Sequence, residues 1–349
     1  MEKREKNETW QDAPERYSRQ TAFDKIGARG QERLFSARVA IVGVGALGTV
    51  AANNLCRAGV GFLRLVDRDC VELSNLQRQA LFDEGDAAAG LPKAVAARNH
   101  LARIDSRVCV EPVVAHVDSS NVEGIVKDVD VVLDGSDNVE LRLLVNEACH
   151  KLKIPWVYGG VLGSTGNCMT ITPGAGACFR CLAPEPPGAG AIPTCASVGV
   201  LNMASNVIAS IESAEAVKII TGSREVNRGL FALDVWNNAA EYLVFSKNPD
   251  CPVCVRGEYA LLGRRAETLV ASLCGADAYQ VIPGRRTRVA LDEFAGRLSV
   301  SGTVKLGSFT LGFSGGGVCF TLFSDGRAIV KNVGDENAAR SVYMEYVGL

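Results

Sequence analysis

The sequence predicts an α/β protein, a Rossmann-like doubly wound sheet extended by antiparallel strands and followed by a small C-terminal α+β module. Three observations predict it. A β-branched run, Val39 to Val42, leads into glycines at 43, 45 and 48 and an amphipathic stretch through about Ala58, after which a second apolar run, Phe62 to Val66, ends at Asp67 and Asp69. That is a β-α-β unit with G-x-G-x-x-G between strand and helix and an acid closing the next strand. Strand-like runs then alternate with helix-period segments as far as Trp156, the pattern of a parallel sheet. Beyond Trp156 the strand segments TITP, GLFALDVW and EYLVFS crowd together, which suggests antiparallel additions.

The elements follow in order. Residues 1–15, MEKREKNETWQDAPE, are polar and mixed in charge, with no apolar core of signal-peptide length, and read as a flexible tail. Residues 16–257 form the main domain, with further strands at Val108–Val114 and Val129–Leu133 and helices near Lys93–Arg103, Val139–Lys151 and Ser205–Ile220. Leu182 to Thr194, LAPEPPGAGAIPT, lacks apolar periodicity, so a mobile loop is expected over about 182–197. Composition changes again after Cys254, and 264–349 read as the α+β module, where FTLGF, VCFTLF and RAIVKNV precede a helix starting near Asp335.

Hydrophobic content of 47% and charged content of 22% are ordinary for a soluble protein. A net charge of −2 argues against nucleic acid or an anionic membrane as the main partner, and no stretch without charge is long enough to cross a bilayer. A cytoplasmic setting is expected. Of the twelve cysteines, eight are scattered and read as small buried hydrophobes, while Cys178/Cys181 and Cys251/Cys254 form two C-x-x-C pairs. In a reducing compartment a four-thiolate zinc site explains the pairs better than disulfides, with two independent redox pairs as the alternative.

The glycine loop by itself could serve NAD, FAD or ATP, since each sets phosphate against N–H groups at a helix start, and Asp67 is the usual ribose partner. The segment Ser74-Asn75-Leu76-Gln77-Arg78-Gln79 and then Lys93 shift the balance. A triphosphate needs Arg, Lys and Mg²⁺ to neutralise it, whereas a dinucleotide needs little cationic help. Asp134 and Asp137 close the strand Val129–Leu133 at the carboxyl edge of the sheet. Asp137 suits a Mg²⁺ anchor there, or a turn or helix cap before Val139. Arg16 and Arg19 add two cations that could equally be structural. His100, His116 and His150 lie in helix or strand patterns and receive no catalytic role. Cys195, in PTCASVGV, is a buried thiol or a nucleophile activated by a helix start.

RYSRQ, GVGALG, DRDCVELSNLQRQ, LPKAVAA, DGSDN, PTCASVGV and the CFRC/CPVC pairs, in this order, resemble the ThiF/MoeB/HesA adenylyltransferases, bacterial relatives of the ubiquitin-activating enzymes. IPWVYGG, LDVWNN, SLCGADAYQVIP and FSDGRAIVK resemble the longer ThiF-type proteins with an extra C-terminal module. Many relatives have glycine where this chain has Ala46, a contact made by backbone. The resemblance implies a homodimer that adenylylates the C-terminal carboxylate of a ubiquitin-like sulfur carrier ending in Gly-Gly. The carrier is ThiS-like, with a MoaD-like carrier or a non-catalytic carrier-binding module as alternatives. Sulfur would come from a separate donor such as a cysteine desulfurase or rhodanese. Mg-ATP would be held by Gly43, Gly45, Ala46, Gly48, Asp67, Asp69, Ser74, Asn75, Gln77, Arg78, Lys93, Asp137 and Asn138. Arg19 would reach the neighbouring subunit's ATP, and Cys195, in the crossover loop, would form a covalent link to the carrier.

Overall fold

The computed structural model describes residues 14–184, 198–264, 268–272, 278–284, 289–307 and 309–348. They form two compact units that divide between Gly263 and Arg264.

The first unit is built on an eight-stranded sheet in the order β3-β2-β1-β4-β5-β6-β7-β8. Its strands are β1 (Arg38–Val42), β2 (Phe62–Asp67), β3 (Cys109–Val114), β4 (Val131–Asp134), β5 (Trp156–Leu162), β6 (Thr165–Ile171), β7 (Leu230–Asp234) and β8 (Ala239–Leu243). Neighbours from β3 through β5 are parallel, with Val39 opposite Leu63 on one side and Val131 on the other. From β5 to β8 every pairing is antiparallel. The sequence expectation of a doubly wound sheet with an antiparallel extension is met. Strand β4 is wholly buried and β1 nearly so, as unbroken apolar runs in a sheet covered on both faces must be.

Helices α1 (Pro14–Thr21), α2 (Gly27–Ser36), α3 (Ala46–Arg57), α4 (Glu84–Ala89), α5 (Lys93–Ile104), α6 (Val122–Val126), α7 (Val139–Leu152), α8 (Phe179–Leu182) and α9 (Asn202–Thr221) surround it. On one face Leu55, Ala97 and Ile208 of α3, α5 and α9 pack with Ile41, Leu63 and Leu133. On the other, Ile125 and Leu144 of α6 and α7 pack with Val42, Val132 and Trp156.

The helices the sequence reading missed are polar or short. Helix α1 begins at Pro14, inside the stretch read as tail, and long-range contacts hold it. The Tyr17 hydroxyl donates to Asp105 at 2.7 Å, and a Cβ on Gly59 would collide with the Tyr17 ring. No local periodicity encodes such partners. Strand β8 starts ahead of EYLVFS, and all five of its residues are exposed. His116 lies in a loop after β3 rather than in a regular element. The loop expected over 182–197 is described only to residue 184, and Cys195 lies outside the described residues.

The second unit is a six-stranded antiparallel sheet in the order β11-β12-β13-β14-β10-β9. It comprises β9 (Leu269–Ser272), β10 (Ala278–Ile282), β11 (Thr303–Leu306), β12 (Thr310–Gly315), β13 (Val318–Phe323) and β14 (Ala328–Lys331), with α10 (Leu291–Leu298) and α11 (Glu336–Tyr346). Leu311, Phe313, Phe320, Leu322, Val330 and Tyr343 make a separate core. Asp335 caps α11 by accepting from Ala338 N at 2.8 Å. Among the described residues no helix is long and apolar enough to cross a membrane.

Among the buried polar side chains of the first unit is a carboxyl group without a hydrogen-bond partner. Glu212 of α9 is fully buried in the notch left by Gly159, where a Cβ would lie 2.2 Å from its Oε1, and neither carboxyl oxygen has a hydrogen-bond partner. Burial raises its pKa well above the ordinary value, with Asp134 adding to the effect and Arg142 opposing it. The folded chain therefore keeps a proton that the unfolded chain releases above about pH 4.3, and stability drains as pH rises, by up to about 1.4 kcal/mol per pH unit. Glu212→Gln removes this dependence. Its melting temperature should exceed the parent's at pH 8, with the difference shrinking towards pH 5. A constant difference across that range would contradict the assignment.

Candidate functional site

The sheet order reverses between β1 and β4, and the loops that follow these two strands cross there. Gly43 leaves β1 at φ +94°. Its carbonyl oxygen is 2.0 Å from where a Cβ on Gly135 would stand and 1.9 Å from one on Gly48. No side chain fits at either position, so α3 and the loop after β4 press directly on the first loop. Gly43 N donates to Val66 O and Gly135 N to Val42 O, both at 2.8 Å, which fixes the loops to the strand ends. Gly45 precedes Ala46, the first residue of α3, without a side-chain cap. The free N–H groups of that helix end open onto the crevice, ready for an anion.

Charged side chains converge on the same place. Both oxygens of Asp67 accept backbone N–H bonds at 2.7 Å, from Val44 and from Asp69. Burial pushes the Asp67 carboxyl up, opposed by Lys93. Lys93 opens α5 and is buried, with Nζ 3.5 Å from Asp69 Oδ2. Its burial works against the ammonium, but Asp67, Asp69 and Asp137 outweigh it and raise the pKa. The structure thus brings together the glycine loop, Asp67, Asp69, Lys93 and Asp137. Asp137 is exposed, with no regular structure around it, between the pinned Asp134 and the helix cap Asn138. Asp134 is spent structurally: it accepts from Arg142 Nε at 2.8 Å and from Ser136 Oγ at 2.6 Å. Asn138 caps α7, its oxygen accepting from Glu140 N at 2.8 Å.

The SNLQRQ segment lines the crevice from the side. Asn75 is buried and closes a capping box with Glu72, Ser74 and Gln77 are exposed, and Arg78 Nη1 donates to Ser74 O at 3.0 Å. Sequence reasoning passed over Gln79, at the end of this motif. It is 3% exposed, its Nε2 lies 3.9 Å from a Cβ position on Gly45, and its buried Oε1 has no partner. The unpartnered oxygen can only accept, so it calls for a hydroxyl or N–H of a ligand, beside a helix N-terminus and a buried lysine that suit phosphate. Gly135 and Arg142 were also missed, since their roles exist only through partners distant in sequence.

Arg19 stands apart. Gln20 Nε2 donates to Ala58 O at 2.9 Å and Arg16 Nη1 to Ile104 O at 2.8 Å, so α1 sits at the C-terminal ends of α3 and α5. The crevice lies at their N-terminal ends. The 12 residues of α3 span about 18 Å, beyond the reach of one side chain.

Cys178, Cys181, Cys251 and Cys254 gather on the α7 face with all four sulfurs within 4.8 Å of one another. Cys178 and Cys251 are 3.7 Å apart and Cys181 and Cys254 3.5 Å. A tetrahedral four-thiolate metal with bonds of about 2.3 Å requires sulfur separations of about 3.8 Å. Asn146 Nδ2 and Asn248 N donate to Cys178 and Cys181, the hydrogen bonds a thiolate cluster uses. Asp83, Asp86 and His100 also converge, beside a cleft of about 420 Å³. That network is satisfied internally. Arg103 can only donate to His100 Nδ1, at 2.5 Å, so Nε2 carries the proton given to Asp86 at 2.7 Å.

Comparison with known proteins gives a consistent picture. The model of the ThiF family matches residues 17–253. The chain is 37% identical over 336 residues to a sulfur carrier protein ThiS adenylyltransferase of Bacillus subtilis, covering 95% of this chain and 99% of that protein. It is 42% identical over 244 residues to the SAMP-activating enzyme E1 of Haloferax volcanii, covering 70% of this chain and 89% of that one. Its fold resembles that of Escherichia coli MccB crystallised with ATP, with TM-score 0.59 and 23% identity over 68% of this chain and 74% of the other.

The cysteine geometry generates a measurable expectation. Elemental analysis of anaerobically purified protein should find one tightly held metal ion per chain. Cys178→Ser should lose it and melt roughly 5 °C lower or more, each kcal/mol being worth about 2–4 °C in a chain of this size. Metal-free protein with unchanged stability would leave the four thiols as a packing cluster.

Proposed function

The chain belongs to the ThiF family, and from that premise we propose that it adenylylates the C-terminal glycine carboxylate of a ubiquitin-like sulfur carrier, using ATP and releasing pyrophosphate. The observation that carries this reading is the crevice between β1 and β4, where a helix N-terminus, the buried Lys93 and the exposed Asp137 face one another. Similarity to a ThiS adenylyltransferase across nearly the whole chain, second unit included, favours a ThiS-like carrier over a MoaD-like one.

The reaction needs no general base. A C-terminal carboxylate, with a pKa of about 3.3–3.7, is ionised at neutral pH. The difficulty is bringing one anion against the α-phosphate of another. Lys93, Arg78 and the α3 N-terminus lower that repulsion, and the unpartnered Oε1 of Gln79 accepts from a hydroxyl or N–H of the nucleotide. Asp137 is the residue that would hold Mg²⁺, which supplies charge neutralisation to the phosphates. Asp67 receives the ribose. Ala46, Asp69, Ser74, Asn75, Gln77 and Asn138 shape the pocket around them, Asn75 and Asn138 chiefly by fixing backbone.

Zinc is the metal assigned to the four cysteines. With four protein ligands it has no open position and takes no part in the chemistry. Cys195 is the thiol proposed to displace AMP from the acyl-adenylate and hold the carrier as a thioester. The sulfur of a donor, a desulfurase or a separate rhodanese, then displaces the Cys195 thiolate in turn. ATP and four reduced thiols suit a cytoplasmic setting. A non-catalytic carrier-binding module is the second reading, favoured only by the lack of an acid–base residue, which this reaction does not require.

Labelled pyrophosphate should exchange into ATP only when a Gly-Gly-ended carrier is present. Asp137→Ala should abolish exchange with the fold intact, and Lys93→Ala or Arg78→Ala should lower it by about 2–4 kcal/mol of transition-state stabilisation. Exchange that ignores the carrier's last glycine would overturn the proposal.

Since α1 holds Arg19 at the far end of α3, we propose that Arg19 serves the site of a second subunit in a homodimer. Mixing inactive Arg19→Ala chains with inactive Asp137→Ala chains should restore part of the exchange activity. Mixed dimers that stay inactive would reject action across the interface.

A further inference from the structure

The sheet order dictates how a nucleotide lies along it. The triphosphate end belongs at the crossing of the β1 and β4 loops, and the acid closing β2 takes the ribose. The base must continue in the same direction, over the carboxyl ends of β2 and β3. Register places these ends side by side: Asp67 is opposite Val114, and Ala115 N donates to Asp67 O at 3.2 Å. The residues that emerge there are Arg68, after β2, and His116, after β3.

These two are paired. Arg68 Nη1 lies 3.2 Å from His116 Nδ1, and its Nε lies 3.6 Å from Asp69 Oδ1. A guanidinium can only donate, so Nδ1 of His116 accepts. The two contacts hold the planar group at the strand ends, its side chain one-third exposed. Asp69 also meets Lys93 at 3.5 Å, which links this plane to the phosphate end of the crevice. A fixed, partly exposed guanidinium plane is a stacking surface for an aromatic ring.

We infer that Arg68, oriented by His116, stacks on the nucleobase of the bound triphosphate and gives the site its preference for a purine. The inference rests on the ATP-dependent reading above and adds a specificity residue to it.

Equilibrium binding to the full chain, with Mg²⁺ present, tests it with three probes: ATP, CTP and inorganic tripolyphosphate. Arg68→Ala should weaken ATP roughly tenfold, CTP less, and tripolyphosphate within about twofold. Arg68→Lys keeps the charge but loses the plane, and should behave like the alanine variant towards ATP. His116→Ala should cost ATP part of the same loss. Equal weakening of ATP and tripolyphosphate would show a plain charge effect and overturn the inference, as would unchanged ATP affinity in Arg68→Ala. Failure of the unsubstituted protein to bind ATP would instead remove the ATP-dependent reading itself, a separable result.

Discussion

Everything in the candidate site depends on how closely two backbones approach at the reversal of the sheet. The carbonyl of Gly43 occupies the space where Gly48 and Gly135 would carry side chains. That contact lets α3 start directly beneath β1 and lets the loop after β4 fold over it. A single methyl at either glycine would push the loops apart by more than an ångström. The helix N-terminus would then point elsewhere, and Asp137 would leave Lys93. The crossing is reinforced from both sides. Asp67 grips Val44 N behind the first loop, while the Asp134–Arg142 pair, with Arg142 also donating to Ser136 O and Gly159 O, ties the second to β5. These buried charges act as fasteners, and losing one partner would strand the other at a cost of about 3–5 kcal/mol.

The electrostatics of the crevice follow from that geometry. Lys93 is surrounded by three carboxylates, so its charge is already matched before any ligand arrives. An incoming triphosphate must compete with Asp67, Asp69 and Asp137 for one ammonium. Three acids facing four phosphate charges would repel them, and the divalent cation proposed at Asp137 would convert that repulsion into attraction. On that proposal the acid-rich site and the use of a metal-bound nucleotide are one property. The N–H groups at the start of α3 carry no such competition, and they supply the part of the attraction that needs no rearrangement.

Periodicity made the parallel sheet legible: Val39–Val42 and Phe62–Val66 are continuous apolar runs because both faces of those strands are covered. The glycine spacing and the terminal acid then located the crevice. What periodicity could not reveal were elements held by distant partners. Helix α1 is polar and owes its place to Tyr17, Asp105 and Ala58. Polar residues within recognisable motifs also hid their jobs, since Asn75 and Asn138 spend their side chains on backbone caps. The cysteines could be grouped by residue type, but the cross-pairing of 178 with 251 and 181 with 254 needed the fold. Strands β9, β10 and β11 of the second unit, each four or five residues long, are too short for periodicity to set apart from loop, whereas the equally short β14 was legible through its apolar run Ala328–Val330.

The cysteine cluster and the crevice each meet one described end of the same segment. One described end of the crossover segment, Phe179–Leu182, is held by the cysteines and by Asn146 Oδ1, which accepts from Phe179 N at 3.1 Å. The other end is fixed to the β5–β6 turn, where Gly163 N donates to Gly199 O and Leu201 N to Gly163 O. The next residue, Asn202, donates to Gln77 O at 3.0 Å and so touches the SNLQRQ segment. Helix α8 has four residues, and its one buried ring, Phe179, packs on Trp156 and Tyr158. The proposed four-thiolate site would add to that anchor, while backbone pairing serves where the segment rejoins a strand turn. The two described ends of the segment are thus set independently, one by the cysteines and Asn146, the other by backbone pairing at the strand turn.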